Sequence, residues 1–195
     1  MIISCNNNQP GNNKNIDATR PDKDGNCFTN TSELNQANGI NIDVYYPCSW
    51  IEVHANDYNP TLILQVGTMP ENNNANIGLT VIISKLKDTL TSDKLEKLRT
   101  EIYSKSKSNA MEGTISTDTI EINNVKGGEI TTKNIMPNGQ VLYNFMIQLY
   151  FENNLIQLIY AVGAPTETEA LSVFDEQKPF FIGLAKRTKF YAKSQ

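Results

Sequence analysis

Residues 39–50 read GINIDVYYPCSW, and this stretch decides the fold. Apolar and polar residues alternate along its first part, which is the period of a strand with one buried face. The apolar positions are Ile40, Ile42, Val44 and Tyr46. Pro47 cannot donate a hydrogen bond to a strand ladder, so the strand is predicted to end there. The chain is therefore expected to enter a β-sheet at its first clearly periodic segment.

Further strands follow along the chain. They are predicted at residues 50–54, 61–67, 77–86, 113–122, 127–135, 140–151 and 155–162. The long apolar run 77–86 is typical of a central strand. Short turn sequences, Pro137-Asn138-Gly139 and Glu152-Asn153-Asn154, separate the last three strands. Strands joined by such turns form hairpins, so the sequence predicts an antiparallel meander.

Helices are predicted between and after these strands. Residues 92–105 carry apolar side chains at helical spacing behind a serine that can cap the first turn. Thr166 and Glu169 form a capping-box pattern, which predicts a short helix as far as Phe174. Pro179 is typical of a first helical position and predicts the start of a separate final helix. The pattern indicates an α+β fold with helices packed on a long antiparallel sheet.

The same opening stretch resembles a known family. PsbP-, DcrB- and Mog-type domains begin with a glycine that leads into an alternating strand, which ends in Tyr-Pro with a tryptophan shortly after. The matching residues here are Gly39, Tyr46, Pro47 and Trp50. The order of elements is also similar over roughly residues 35–190. The resemblance implies an α/β/α sandwich over residues 26–195 that binds or supports other proteins, with no enzymatic activity and no cofactor.

The N-terminus carries a second resemblance. Residues 2–5, Ile-Ile-Ser-Cys, resemble the lipobox of bacterial lipoproteins, in which the chain is cleaved before the cysteine and a lipid is attached to its thiol. Residues 1–4 are then the remnant of a signal peptide, and Cys5 is the lipidation site. Residues 5–25 are rich in asparagine and almost without apolar side chains, which predicts a disordered tether. The alternative is an ordinary soluble N-terminus in which the motif is coincidental.

The other two cysteines form an even pair once Cys5 carries a lipid. Cys27 and Cys48 would lie in a compartment that permits disulfides, and we predict that they are close together. Two arrangements are open, a disulfide or a pair of buried free thiols. A disulfide would fasten the beginning of the domain to its first strand.

The charge of the chain disfavours nucleic acid as a partner. The last ten residues hold four basic side chains, and residues 1–185 carry 13 basic and 21 acidic side chains, a net charge of −8. Such a body repels a phosphate backbone. The basic residues of the tail are Lys186, Arg187, Lys189 and Lys193. They either contact an anionic lipid or a partner, or simply complement the dipole of a final helix.

Catalytic and metal-binding patterns are weak, so the sequence favours a protein that is not an enzyme. His54 is the single histidine, which excludes a histidine-rich metal site. A Cys48 thiolate activated by His54 is the remaining nucleophile hypothesis, and a bond between Cys48 and Cys27 would remove it. No catalytic residue and no metal ligand is therefore predicted.

Aromatic residues cluster around the Tyr-Pro corner. Tyr45, Tyr46, Trp50 and Tyr58 are candidates for a recognition patch, because such side chains dominate binding hot spots. The alternative is that they form the wall of the hydrophobic core.

These observations predict a membrane-tethered lipoprotein of the bacterial cell envelope. The domain would face the periplasm and bind or support a protein partner, because tethering raises the local concentration of a weakly binding domain. Two alternatives remain open, a soluble chaperone or adaptor of the same fold and a small-molecule or metal-binding module with a pocket between sheet and helix.

Overall fold

A computed structural model describes residues 23–53, 60–68, 75–87, 91, 93, 94, 97 and 113–191. Those residues form two antiparallel sheets packed against one α-helix, which confirms the α+β class and the predicted meander. The signal-peptide remnant 1–4, the tether up to residue 22, Cys5, His54 and Tyr58 lie outside the described residues. Most of the helix predicted at 92–105, the second helical layer of the predicted sandwich, also lies outside them.

The larger sheet has seven strands. They are β3 (Ile51–Glu52), β4 (Leu62–Gly67), β5 (Asn76–Lys85), β6 (Thr114–Ile122), β7 (Val125–Ile135), β8 (Val141–Phe151) and β9 (Asn154–Ala164). Their spatial order is β3-β4-β5-β9-β8-β7-β6, and every neighbouring pair is antiparallel. Strands β6 to β9 form consecutive hairpins, and β9 returns to pair with β5 along ten residue positions. Strand β5 is thus interior, as its apolar run predicted.

The smaller sheet contains the opening stretch. Strand β2 (Asn41–Pro47) lies between β1 (Asn26–Asn30) and β10 (Lys189–Tyr191). The sequence predicted only β2. It also predicted one buried face, which is wrong, because five consecutive residues of β2 are buried. Strand β2 is central in its sheet, and α1 (Glu167–Arg187) packs against it. Both side-chain rows are therefore removed from water.

Helix α1 is continuous over 21 residues, so the two separate helices predicted around Pro179 are wrong. Pro179 lies inside the helix, where a proline removes one backbone hydrogen bond and usually costs about 3 kcal/mol. Aromatic packing on both sides of it offsets this cost. Phe174 lies 5.4 Å from the Tyr143 ring, and Phe181 stacks on Tyr160 at 4.9 Å between centroids. Both contacts are made to the same sheet, and the helix is continuous through the proline.

The beginning of α1 agrees with the sequence. Thr166 is the N-cap, and its Oγ1 accepts a hydrogen bond from the Glu169 amide at 3.3 Å.

Among the described residues, no helix is both long enough and apolar enough to cross a bilayer.

Cys27 and Cys48 form a disulfide, so the bonded arrangement of this pair is confirmed. Cys27 lies in β1, and Cys48 follows the last residue of β2. The Cys48 amide donates to the Gly25 carbonyl at 3.2 Å, which extends the backbone pairing of these two segments beyond the disulfide. The disulfide therefore fastens the first described segment to the central strand of the smaller sheet.

Gly127 and Gly128 provide a matched test of the pairing between β7 and β8. A Cβ on Gly127 would fall on the Gln148 carbonyl oxygen, whereas a Cβ on Gly128 would meet the Asp118 carbonyl oxygen at an ordinary 3.6 Å. We expect Gly127→Ala to lower the free energy of unfolding by about 2–3 kcal/mol. Gly128→Ala should change it by less than about 0.5 kcal/mol. Urea denaturation measures both, and equal values for the two variants would contradict the close approach of β7 and β8.

Candidate binding site at the end of the helix

Three of the four residues proposed as a recognition patch lie in the hydrophobic core. Tyr45, Tyr46 and Trp50 are 8%, 9% and 8% exposed. The Tyr46 hydroxyl shares a hydrogen bond with Thr29 Oγ1 at 3.3 Å inside the smaller sheet. This placement favours the alternative in which they form the wall of the core. Tyr45 also lines a surface pocket.

That pocket lies where the C-terminal end of α1, the strand β10 and the turn between β6 and β7 meet. It has a volume of about 600 Å³. The residues that line it are Tyr45, Asn123, Lys186, Arg187, Lys189, Phe190 and Tyr191. We call this cavity the basic pocket, because three of its seven lining residues carry a positive charge. It is the candidate binding site of the domain.

The turn between β6 and β7 holds one side of the basic pocket in place. Asn123 and Asn124 both have positive φ values, 48° and 67°, as a tight hairpin turn requires. The Asn123 side-chain amide donates to the carbonyl oxygens of Thr188 at 2.6 Å and Lys186 at 3.3 Å. These carbonyls belong to the end of α1 and have no partner within the helix. One side chain therefore joins the hairpin to the helix terminus.

The cations of the basic pocket differ in how they are engaged. Arg187 forms an ion pair with Asp24, at the beginning of the described chain. Lys186 and Lys189 are exposed, and no carboxylate of the described residues lies within ion-pair distance of either ammonium group. A hydrogen bond with the Tyr45 hydroxyl raises the pKa of Lys189 above its ordinary value. Two ammonium groups remain available for an anion.

A buried carboxylate lies beside this positive charge, and its Coulomb attraction contributes to the raised pKa of Lys189. Asp43 is 5% exposed, and its Oδ1 accepts a hydrogen bond from the Asn30 side chain at 2.7 Å. Its Oδ2 accepts one from the Tyr191 hydroxyl at 2.6 Å. This hydrogen bond to Asp43 is the main reason that the pKa of Tyr191 is raised. Both carboxylate oxygens are thus engaged inside the smaller sheet, while the Lys189 ammonium lies 5.7 Å from the centre of the Tyr45 ring.

The arrangement is suited to binding an anion. Ammonium groups, phenol rings and a concave wall recognise phosphate or carboxylate groups carried on a larger molecule. The nucleophile hypothesis for Cys48 fails, because its sulfur is bonded to Cys27. In the described part of the chain, no cluster of three or more His, Cys, Asp or Glu side chains is placed to hold a metal ion.

Sequence reasoning missed most of this site. It identified the basic residues of the tail but assigned Lys189 to a helix end, whereas Lys189 lies in β10. The Asn123-Asn124 pair is a hairpin-turn signal and could have been found from its residue types. Its contact with α1 joins residues 65 positions apart, and local sequence carries no such information.

Comparison with known proteins supports the fold. No protein family model matches the chain, and no curated protein sequence is significantly similar to it. The solution structure of cyanobacterial PsbP (CyanoP) from Synechocystis sp. PCC 6803 is similar, with a TM-score of 0.53 and 14% sequence identity. The similarity covers 84% of this chain and 92% of that one. The PsbP-like fold expected from residues 39–50 is therefore confirmed.

Two further structures are similar at lower scores. LpqN, involved in cell envelope biogenesis of Mycobacterium tuberculosis, has a TM-score of 0.49 and 13% identity over 78% of this chain and 84% of that one. PA94 of Pseudomonas aeruginosa, a protein of unknown function and putative regulator, has a TM-score of 0.44 and 10% identity over 78% and 92%.

Proposed function

We propose that this PsbP-like domain is a non-enzymatic lipoprotein domain of the bacterial cell envelope that binds a protein partner. In this proposal a lipid on Cys5 anchors the chain in the membrane, and the domain faces the periplasm. The lipobox-like residues 2–5 and the asparagine-rich stretch that follows them support the anchor. The proposal that the domain binds a protein partner rests on a difference between the two ends of the domain.

One end is the beginning of the described chain. Asp24 pairs with Arg187 there, at the last residue of α1. The other end is defined by the Lys133–Glu167 ion pair, with 2.9 Å between Nζ and Oε1, where β7 approaches the first turn of α1. The 21 residues of α1 span ~32 Å between these two ends. We call the Lys133 end the distal end, because the tether enters at the opposite one.

The distal end carries exposed apolar side chains. Ile135 is 71% exposed and Met136 is 42% exposed, at the end of β7 and in the following turn. Ile115, near the start of β6, is 56% exposed, and the neighbouring Thr114 pairs with Thr132 of β7. Large apolar side chains gathered at one end of a small domain are typical of a protein-binding surface. We expect the partner to cover this end.

The anchor is tested by a crosslink and pull-down of the full-length, natively processed protein from its own host, beside a Cys5→Ser version that cannot be acylated. We expect a reproducible set of partners that is weakened with Cys5→Ser. Mass analysis of the N-terminal peptide should show the lipid on Cys5. If Cys5 is unmodified and the native and Cys5→Ser proteins capture the same partners, this proposal is wrong. The result would instead support a soluble adaptor of the same fold.

The distal surface is tested by Ile135→Ser with Met136→Ser. Removing two exposed apolar side chains from the centre of an interface should weaken partner capture by at least about tenfold. The control is Ile51→Ser with Val53→Ser, which removes two apolar side chains that are 41% and 43% exposed at the β3 edge of the sheet. Equal capture by both double variants would contradict the assignment to the distal end.

A further inference from the structure

The basic pocket lies at the end of the domain where the tether enters. Arg187 belongs to the pocket, and its ion-pair partner Asp24 is the second residue of the described chain. Residues 1–185 carry a net charge of −8, so the positive charge at the end of α1 contrasts with the rest of the chain. A tethered domain with this distribution of charge has one end that is attracted to an anionic surface.

We propose that the basic pocket binds the phosphate group of an anionic glycerophospholipid in the membrane to which the chain is tethered. This inference rests on the proposed lipid anchor, which would bring that membrane within reach of the pocket. Lys186 and Lys189 donate to the phosphate oxygens, since both line the pocket and are exposed. Tyr191, 40% exposed at the mouth of the pocket, lies at the level of the headgroups, where phenol rings are favourable.

Two carboxylates beside the pocket have partners within the domain. Asp24 is paired with Arg187, and Asp43 accepts hydrogen bonds from Asn30 and Tyr191. Other acidic groups act over a short range, because the Debye length is about 8 Å at physiological ionic strength. Strand β8, with 11 residues, is ~37 Å long, which places the distal end more than four Debye lengths away. Acidic groups at the distal end are therefore screened from the pocket, whereas Glu121 lies beside the β6–β7 turn at the same end as the pocket.

The geometry favours a membrane over a free polyanion. A nucleic acid or a long acidic peptide would extend beyond the pocket onto the acidic body and be repelled there. A bilayer meets only the end that faces it. In the cell the anchor adds a high effective concentration at the membrane to the contacts of the two ammonium groups. Each lysine near an anionic bilayer strengthens binding about fivefold.

The experiment measures vesicle binding by the full-length Cys5→Ser protein, so that acylation does not mask the contribution of the pocket. Vesicles contain either equal parts of phosphatidylglycerol and phosphatidylcholine or phosphatidylcholine alone. We expect binding to the first and not to the second. Lys186→Gln with Lys189→Gln should lower the partition coefficient about 30-fold. Both side chains are exposed, so the melting temperature should not change.

The matched control is Lys94→Gln with Lys97→Gln, which removes the same charge from two exposed lysines that do not line the pocket. It should change the partition coefficient by less than about twofold. An equal loss in both double variants, or equal binding to the two kinds of vesicle, would overturn the inference.

A second arm separates the lipid from soluble phosphate. Inorganic phosphate and glycerol phosphate are added as competitors in the vesicle assay. We expect displacement only at concentrations far above that of the accessible lipid, because the bilayer adds multiple charges and contact with the tyrosine. Tight binding of inorganic phosphate, glycerol phosphate or a glutamate-rich peptide without vesicle binding would contradict the inference that the pocket binds a membrane lipid. The lipid on Cys5 and the set of protein partners are measured in separate experiments. A negative result in the vesicle assay therefore does not contradict the proposed function.

Discussion

Phe181→Ala is expected to lower the free energy of unfolding by about 3–5 kcal/mol. Phe181 is 0% exposed, and its ring stacks on Tyr160 of β9 with an interplanar angle of 16°. Removal of the ring leaves a cavity between α1 and the larger sheet that neither element can close without moving. Pro179 lies two residues before this contact, so loss of the ring also removes packing that holds the helix to the sheet after the proline. Chemical denaturation followed by far-UV circular dichroism measures the change.

The neighbouring phenylalanine is the control. Phe180 is 41% exposed and lies on the same helix with the same intrinsic helical preference. Phe180→Ala should cost less than about 1 kcal/mol. A loss of less than about 1 kcal/mol for Phe181→Ala as well would show that α1 is not held to the sheet by this contact.

Replacing Cys27 and Cys48 together with serine is expected to cost about 3 kcal/mol of stability. The disulfide closes a segment of 21 residues, and chain-entropy arguments give this magnitude for such a loop. The segment contains all of β2, which carries Tyr45 of the basic pocket. Loss of the disulfide should therefore loosen the smaller sheet before the larger one. Thermal unfolding, combined with amide exchange in β1 and β2, measures both effects.

All variants in this comparison should carry Cys5→Ser, which prevents exchange with a third thiol. Adding a reducing agent to the protein that retains Cys27 and Cys48 should lower its stability to that of the double variant. The same reagent should leave the double variant unchanged. If reduction has no effect on stability, the disulfide does not constrain the unfolded chain as the model of loop closure requires.

The strand framework could be predicted from the sequence because its signals are local. Period-two alternation at residues 40–46 and the turn residues between β7, β8 and β9 each act within a few positions. The cap at Thr166 is equally local, and the structure confirms it. The pairing of Cys27 with Cys48 followed from a count of cysteines, although the count left the bond itself open.

The errors occurred where distant contacts override local preference. Pro179 predicts a helix start, but Phe174 and Phe181 hold one continuous helix against the sheet. For Tyr45 and Trp50 the residue types left a recognition patch and a core wall both open, and only the tertiary structure shows that both side chains are buried. Strand β10 has only three residues, and it is recognisable only through its pairing with β2 about 150 positions earlier.

The sequence by itself determined the PsbP-like order of strands and the beginning of the last helix, because alternation, turns and caps depend on neighbouring residues. The tertiary structure alone decided that β2 is buried on both faces and that α1 continues through Pro179. It also decided that Asn123, Lys186 and Lys189 meet in one pocket beside Asp24. The physical reason is that these features depend on burial and hydrogen bonds between residues far apart in the chain, and such contacts exist only once the sheets and the helix have packed.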